Sequence, residues 1–215
     1  MFRLLTDKHD RKSSLTGTDQ MLSFASFYRL KAIFTRGVLR ISRRTKVPRG
    51  TTIIWKDGRV SIGARAFIRR GVVIDAQRGS IEIGDHVSLN DYAILLGRGG
   101  ITIGNDVRIA AHAMVVSFDH NFDDVTQPIR MQGVTKKPVV IEDDVWIGAG
   151  AKILGGSHIA KGCVIGANAV VKGKTVPYGI YVGAPAKLVR RRGDQGDVRP
   201  AKLELLPPPK RIAGR

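Results

Sequence analysis

Cysteine is almost missing from this chain: Cys163 is the single one among 215 residues. One thiol cannot build a disulfide framework within a chain, and its place beside Val164 suits a small core filler. Such usage fits a reducing compartment. The opening stretch MFRLLTDKHDRKSS has no apolar h-region, so no secretory signal is expected. Long hydrophobic runs are missing too. The most apolar stretch, Met21 to Phe34, is broken by Arg29 and Lys31 and is too short to span a bilayer. Acidic residues are scarce: 18 Asp and Glu stand against 36 Lys and Arg, a net charge of +18. That excess is uneven. Residues 1–50 carry 12 basic and 3 acidic residues, and 187–215 carry 9 and 3, so +15 of the charge sits in the two ends. No aromatic-and-basic recognition module accompanies it, which argues against nucleic acid. An anionic membrane surface, an acidic glycan or plain solubility would explain basic ends as well. Finally, residues 60–175 have almost no helical periodicity, which excludes a doubly wound α/β domain.

What is present is a comb. Ile141, Ile147, Ile153, Ile159 and Ile165 stand six apart, and Val171 extends the row. Six is too slow for a helix face and is a multiple of the strand period. The same spacing recurs in Ile62, Ile68, Ile74, in Ile83, Leu89, Leu95, and in Ile103, Ile109, Val115. Ile62, Ile83 and Ile103 are each followed by Gly. A short fixed period is the mark of a solenoid, whose rungs bury their apolar positions against the rungs above and below. Three hexads make a rung of 18 residues, and successive triplets start 21 and 20 apart. The extra residues are expected at corners near Arg78-Gly79 and Gly99-Gly100, where Gly and Asn supply positive φ.

The spacing fails once. Val115 and Ile141 lie 26 apart, around the polar excursion SFDHNFDDVTQPIRMQGVTKKP. Long excursions from tight folds usually carry function. This one holds His120, whose imidazole suits a general base for a hydroxyl or amine proton. Asp119, Asp123 or Asp124 could orient it. Ahead of the comb, Thr18 or Asp19 could cap a helix ending at Gly37. It would pack across the coil's open end or a neighbouring subunit, or rest on anionic lipid through Arg36, Arg40, Arg43 and Arg44. The expected layout is a basic segment 1–50 with a helix near 18–36, a coil over 51–186 with a loop 116–138, and a basic tail 187–215.

In order along the chain come Ile103-Gly104-Asn105-Asp106-Val107, the loop histidine, KPVVIEDDVWIGAGAKIL, VIGANAVV and VGAPAKLVR. This series resembles the hexapeptide-repeat acyltransferases, in the branch of sugar O-acetyltransferases that includes maltose, galactoside and nodulation-factor enzymes. It is most similar to members from exopolysaccharide and lipopolysaccharide gene sets. The resemblance covers roughly residues 60–192. It implies an all-β solenoid, a left-handed parallel β-helix, which is an exception to right-handed crossovers. It further implies a homotrimer with active sites in clefts between coils, and transfer of acetyl from acetyl-CoA to a sugar hydroxyl without an acyl-enzyme.

The resemblance also assigns residues. His120 matches the general base. Asn90 matches the position that contacts the acceptor sugar, although a corner Asn in left-handed conformation is an equally simple reading. Asp119 is a further acceptor-side candidate on the same loop. Trp146 falls at the cofactor cleft, or is a rim aromatic that packs. Gly148, Ala149 and Ala167 match small residues whose backbone approaches the pantetheine arm. The usual Thr-Lys-Asp is here Lys172-Gly173-Lys174, which leaves open which lysine meets the cofactor phosphates. Arg190 matches a residue near the adenosine 3′-phosphate.

Two other classes use such coils. One is a zinc hydratase of the carbonic anhydrase kind, but His86, His112, His120, His158 and His9 lack the close pair that class shows, and no metal is expected. The other is a non-catalytic assembly module, against which the His120 loop and the VWIGAG block argue. The expected location is cytoplasmic, with a peripheral place at the inner face of the membrane if the basic ends meet lipid.

Overall fold

Side chains alternate faces along a strand, so an even spacing keeps every comb residue on one face. The computed structural model of the chain, which describes residues 25–194, turns that face inward on three sides at once. The chain visits three sheets in rotation. Sheet A is ordered Val38–Ile41, Arg59–Ile62, Ser80–Ile83, Ile101–Ile103, Val139–Ile141, His158–Ile159. Sheet B runs from Phe67–Ile68 through Ser88–Leu89, Arg108–Ile109, Trp146–Ile147 and Val164–Ile165 to Gly179–Val182. Sheet C runs from Thr52–Ile54 through Val73–Asp75, Ile94–Leu96, Met114–Val116 and Lys152–Ile153 to Val170–Val171. All of these neighbours pair parallel. The result is the parallel β-solenoid expected of a left-handed β-helix.

The registers place comb on comb. Ile62, Ile83, Ile103, Ile141 and Ile159 are consecutive partners in sheet A. Ile68, Leu89, Ile109, Ile147 and Ile165 are partners in sheet B. Ile74, Leu95, Val115, Ile153 and Val171 are partners in sheet C. None of these is more than 5% exposed. Burial of each such side chain is worth about 1.5–3 kcal/mol, so the comb is the principal source of stability. Cys163 is fully buried at the turn position that Val87, Val107 and Val145 occupy in other rungs, and is core filler as expected.

Corner chemistry extends the expectation of Gly and Asn: Gly71, Gly150, Gly162 and Asn168 hold positive φ as expected, and charged and aromatic residues do so too. Arg65, His86, Asp106 and Asp144 hold φ of 54–58° at the A/B corner, and Tyr92 and His112 hold 59° at the B/C corner. Left-handed backbone costs such residues roughly 1–2 kcal/mol. The ladder bonds on either side fix the corner and offset that cost. The extra residues lie at the C/A corner as predicted: Gln77 and Arg78 are both left-handed, and Gly100 N donates to Gly97 O at 3.0 Å.

The Ile-Gly repeats have a specific cause. Asp85 Oδ1 accepts from Ala64 N at 2.6 Å, Asn105 Oδ1 from Asp85 N at 2.8 Å, and Asp143 Oδ1 from Asn105 N at 2.7 Å. Each carboxylate or amide therefore folds back over the preceding rung. A Cβ on Gly63, Gly84 or Gly104 would come within 2.4–2.6 Å of that Asx oxygen. Where the next rung has no Asx, at Lys161, position 142 is free to be Glu. Its Oε1 meets His158 Nε2 at 2.6 Å and its Oε2 accepts from Lys161 N at 2.7 Å.

Both ends depart from the expected boundaries. The coil begins at Val38–Ile41 rather than near 51, because Ile41, Val47 and Ile53 already carry the six-residue spacing and all three are buried. At the other end, Lys187–Arg191 is a strand paired antiparallel on Gly179–Val182, so the tail cannot start at 187. Any tail beyond 194 lies outside the described residues, as does the expected helix before Ala25. The helix Ala25–Phe34 packs across the open end, with Ala25 and Tyr28 buried. Tyr28 Oη donates to Thr51 O at 2.7 Å, and its ring meets Trp55 edge-on at 6.0 Å.

Candidate active site

The break in the comb forms a hairpin at the C/A corner. After Met114–Val116 the chain leaves the prism as the strand Phe118–His120, which pairs antiparallel with Val134–Lys136. It returns through Lys137 N, which donates to Ser117 O at 2.8 Å. The hairpin's far loop is braced by its own side chains. Gln132 Oε1 accepts from Asp124 N at 3.1 Å, and Gln132 Nε2 donates to Asp124 O at 2.7 Å. Asp124 also accepts from Thr126 and Gln127, and those bonds hold its carboxyl below the usual carboxylate range.

His120 is exposed near the end of the first hairpin strand, opposite Val134. Its ring meets Phe118 edge-on at 6.1 Å. Among the described residues no side chain hydrogen-bonds it, so both ring nitrogens are open to an incoming hydroxyl or amine. Two of the three expected orienting carboxylates are engaged elsewhere: Asp119 pairs with Lys137 Nζ at 2.6 Å, and Asp124 is bound within the loop; the third, Asp123, is exposed and makes no hydrogen bond to His120. Lys137 and Arg98, whose guanidinium lies 5.2 Å from the Phe118 ring centroid, are the basic residues that hold the hairpin. The sequence reading missed both, because neither falls on the comb or in the loop's acidic run.

The remaining candidates lie along other edges. Asn90, Ala149 and Ala167 share the B/C corner on separate rungs. Asn90 does not have a left-handed backbone; its Nδ2 donates to Ile109 O at 2.9 Å. Trp146 precedes the same corner on the outer face of sheet B and is 55% exposed. The three small residues separate by function. Gly148 N donates to Ile165 O at 2.7 Å, and a Cβ on Gly148 would lie 2.6 Å from Ala167 N, so close rung packing requires this glycine. Ala149 and Ala167 are exposed, and among the described residues their N–H groups have no acceptor. Ala111 N in the same column is likewise open. At the A/B corner the equivalent N–H groups are taken by Asp85, Asn105 and Asp143. The B/C edge therefore presents a row of outward donors, which the A/B edge does not.

Lys172 and Lys174 flank the left-handed Gly173 and are both exposed. Lys174 bridges to His158 beside sheet A, while Lys172 follows the last strand of sheet C. Arg190 is exposed on the antiparallel end strand. Its neighbour Arg192 is fixed by Asp144 Oδ2 at 2.9 Å and Gly162 O at 2.9 Å. A shallow depression of about 460 Å³ on the outer face of sheet A is bordered by Arg40, Arg59, Glu82 and Asn105; none of the predicted site residues lines it. One chain thus puts His120 on the C/A edge and the open donors on the B/C edge. The histidines do not gather either: among the described residues no group of three His, Cys, Asp or Glu is placed to hold a metal ion.

Residues 138–173 match the family described as bacterial transferase hexapeptide (six repeats). The chain is 37% identical over 160 residues to a Mycobacterium tuberculosis protein named a probable acetyltransferase, covering 74% of this chain and 52% of that protein, about half its length. It is 30% identical over 157 residues to WbbJ of Escherichia coli, whose name assigns it to lipopolysaccharide biosynthesis O-acetyl transfer. That match covers 69% of this chain and 80% of WbbJ. Among solved structures, a mutant of AntD, an N-acyltransferase from Bacillus cereus in complex with dTDP-4-amino-4,6-dideoxyglucose and coenzyme A, superposes with a TM-score of 0.64. The two are 25% identical, over 79% of this chain and 91% of that one.

Proposed function

Because the chain belongs to the hexapeptide-repeat acyltransferase family, we propose that it transfers an acetyl group from acetyl-CoA to a sugar hydroxyl, with His120 as general base. The observation that carries this reading is the open, exposed imidazole on a braced hairpin at the single break in the comb. His120 takes the proton from the acceptor hydroxyl as its oxygen attacks the thioester carbonyl. The C–S bond then breaks, the acetyl group stays on the acceptor oxygen, and the imidazolium returns the proton to the departing thiolate. No acyl-enzyme is needed, in keeping with a buried Cys163.

The outward N–H groups of Ala149 and Ala167 suit the amide-rich arm of coenzyme A and the oxyanion of the tetrahedral intermediate. Lys172, Lys174 and Arg190 supply exposed cations for its phosphates. Trp146 and Asn90 border the groove that the acceptor and thioester share. Since His120 and the donor edge lie on different corners of one prism, the working site combines the hairpin of one copy with the B/C edge of a second, in a homotrimer. The acceptor is a sugar of surface polysaccharide biosynthesis; the relative named for lipopolysaccharide biosynthesis supports that class, and the neighbour bound to a nucleotide-linked amino sugar supports a sugar acceptor.

Purified protein with acetyl-CoA and a panel of free, nucleotide-linked and lipid-linked sugars should release coenzyme A thiol and leave one added acetyl on the acceptor. His120→Ala should lower that rate at least ~10²-fold without altering the melting temperature. Turnover unchanged in the variant would remove His120 as the base.

A further inference from the structure

The end of the prism covered by the helix Ala25–Phe34 has features unrelated to acetyl transfer. Between Met21 and Lys56 there are nine Lys and Arg and no Asp or Glu. The structure gathers the described part of this stretch at one end of the coil. Val38–Ile41 and Thr52–Ile54 are the terminal strands of sheets A and C, and Lys46 bridges to the terminal strand of sheet B. Arg36, Arg43, Arg44 and Lys46 are exposed there, and among the described residues no ion pair neutralises any of them. The helix is two-faced. Ala25 and Tyr28 are buried against the coil, whereas Phe27 is 56% and Leu30 60% exposed. Lys31 lies beside the coil, its Nζ 5.7 Å from the Trp55 ring centroid, while Leu30 stays exposed on the helix at this cation-rich end of the prism.

We infer that this end of the prism docks on an anionic lipid bilayer, with Leu30 and Phe27 entering the headgroup layer and the arginines meeting lipid phosphates. Exposed apolar side chains on a helix, combined with cations at the same end, are the pattern of interfacial helices. Each Lys or Arg held near an anionic surface adds to the attraction, which salt screens. A nucleic acid would satisfy the charges but gain nothing from Leu30, which is why lipid is favoured. The patch lies on the terminal rung and shares no residue with the proposed catalytic groups.

The test is co-sedimentation of the full chain with phosphatidylcholine vesicles, with and without about 30% phosphatidylglycerol. Binding is expected only with the anionic lipid, and to weaken with salt. R43E/R44E should reduce partitioning by at least about ten-fold, and Leu30→Ser by several-fold, with unchanged melting temperature and acetyl transfer to a soluble acceptor. Anionic-vesicle binding that persists in R43E/R44E would overturn the proposal. So would loss of vesicle binding to competition by duplex DNA that Leu30→Ser leaves untouched, since that outcome assigns the patch to nucleic acid.

Discussion

Two kinds of small residue occupy the corners, and they do different things. Gly84 is small because Asn105 folds over it: an added Cβ would lie 2.6 Å from Asn105 Oδ1 and 2.6 Å from Gly104 O. One of those atoms is backbone and cannot swing away. Gly84→Ala should therefore cost about 1–3 kcal/mol, visible as a lower melting temperature. A change within ~0.5 kcal/mol would mean that the Asx ladder is loose. Ala149 and Ala167, by contrast, are exposed, and what they offer is an open N–H. The sequence could mark all of these positions as small but could not separate them. The distinction lies in which backbone donors the next rung consumes, and that is a matter of register. His120 was legible because it stands in the one long interruption; the loss of Asp119 to Lys137 and of Asp124 to the loop itself was not.

At the scale of elements, strand ladders and corner pairs share the work. Glu142 stands where Gly63, Gly84 and Gly104 stand in the three preceding rungs and ties sheet A to the following corner through His158 and Lys161 N. The His158 hydrogen bond, and next the Lys161 N–H, hold its carboxyl below its ordinary value of 4.5. A lowered carboxyl stabilises the fold above its unfolded value, and that contribution is lost as pH falls through the lowered one. Glu142→Gln should therefore melt lower than the parent at pH 7, by a modest amount because the pair is part-exposed. The gap should narrow as pH falls from 4.5 through the folded value. A gap that stays constant with pH would show that the charge is irrelevant. The comb fixed the strands well because burial alone sets a period of six. It was less visible at the first rung, where Ile41, Val47 and Ile53 keep the spacing but Arg40, Arg43, Arg44 and Arg49 disguise it as a basic arm. Lys187–Arg191 was obscured for a similar reason: an exposed edge strand needs no buried pattern, and its charges resemble a tail.

Across the described residues the molecule is a prism whose edges are chemically unequal. The A/B edge takes up the outward N–H groups of Ala64, Asp85, Asn105 and Lys161 with its own side chains, the B/C edge leaves those of Ala111, Ala149 and Ala167 open, and the C/A edge carries the hairpin with His120. Separation of the proposed base from the open donors within one chain calls for a second copy, so coassembly tests the proposed shared site directly. His120→Ala removes the proposed base, and A149W/A167W fills the exposed donor edge without disturbing the core. Each variant alone should be nearly inactive with acetyl-CoA and a sugar acceptor. Coexpressed in equal amounts, the two should recover about a quarter of the parental rate, because a random quarter of the interfaces in a closed ring pair an intact His120 with an intact edge. Coassembled mixed oligomers that remain as inactive as either variant would contradict the shared site and place base and donors in one chain.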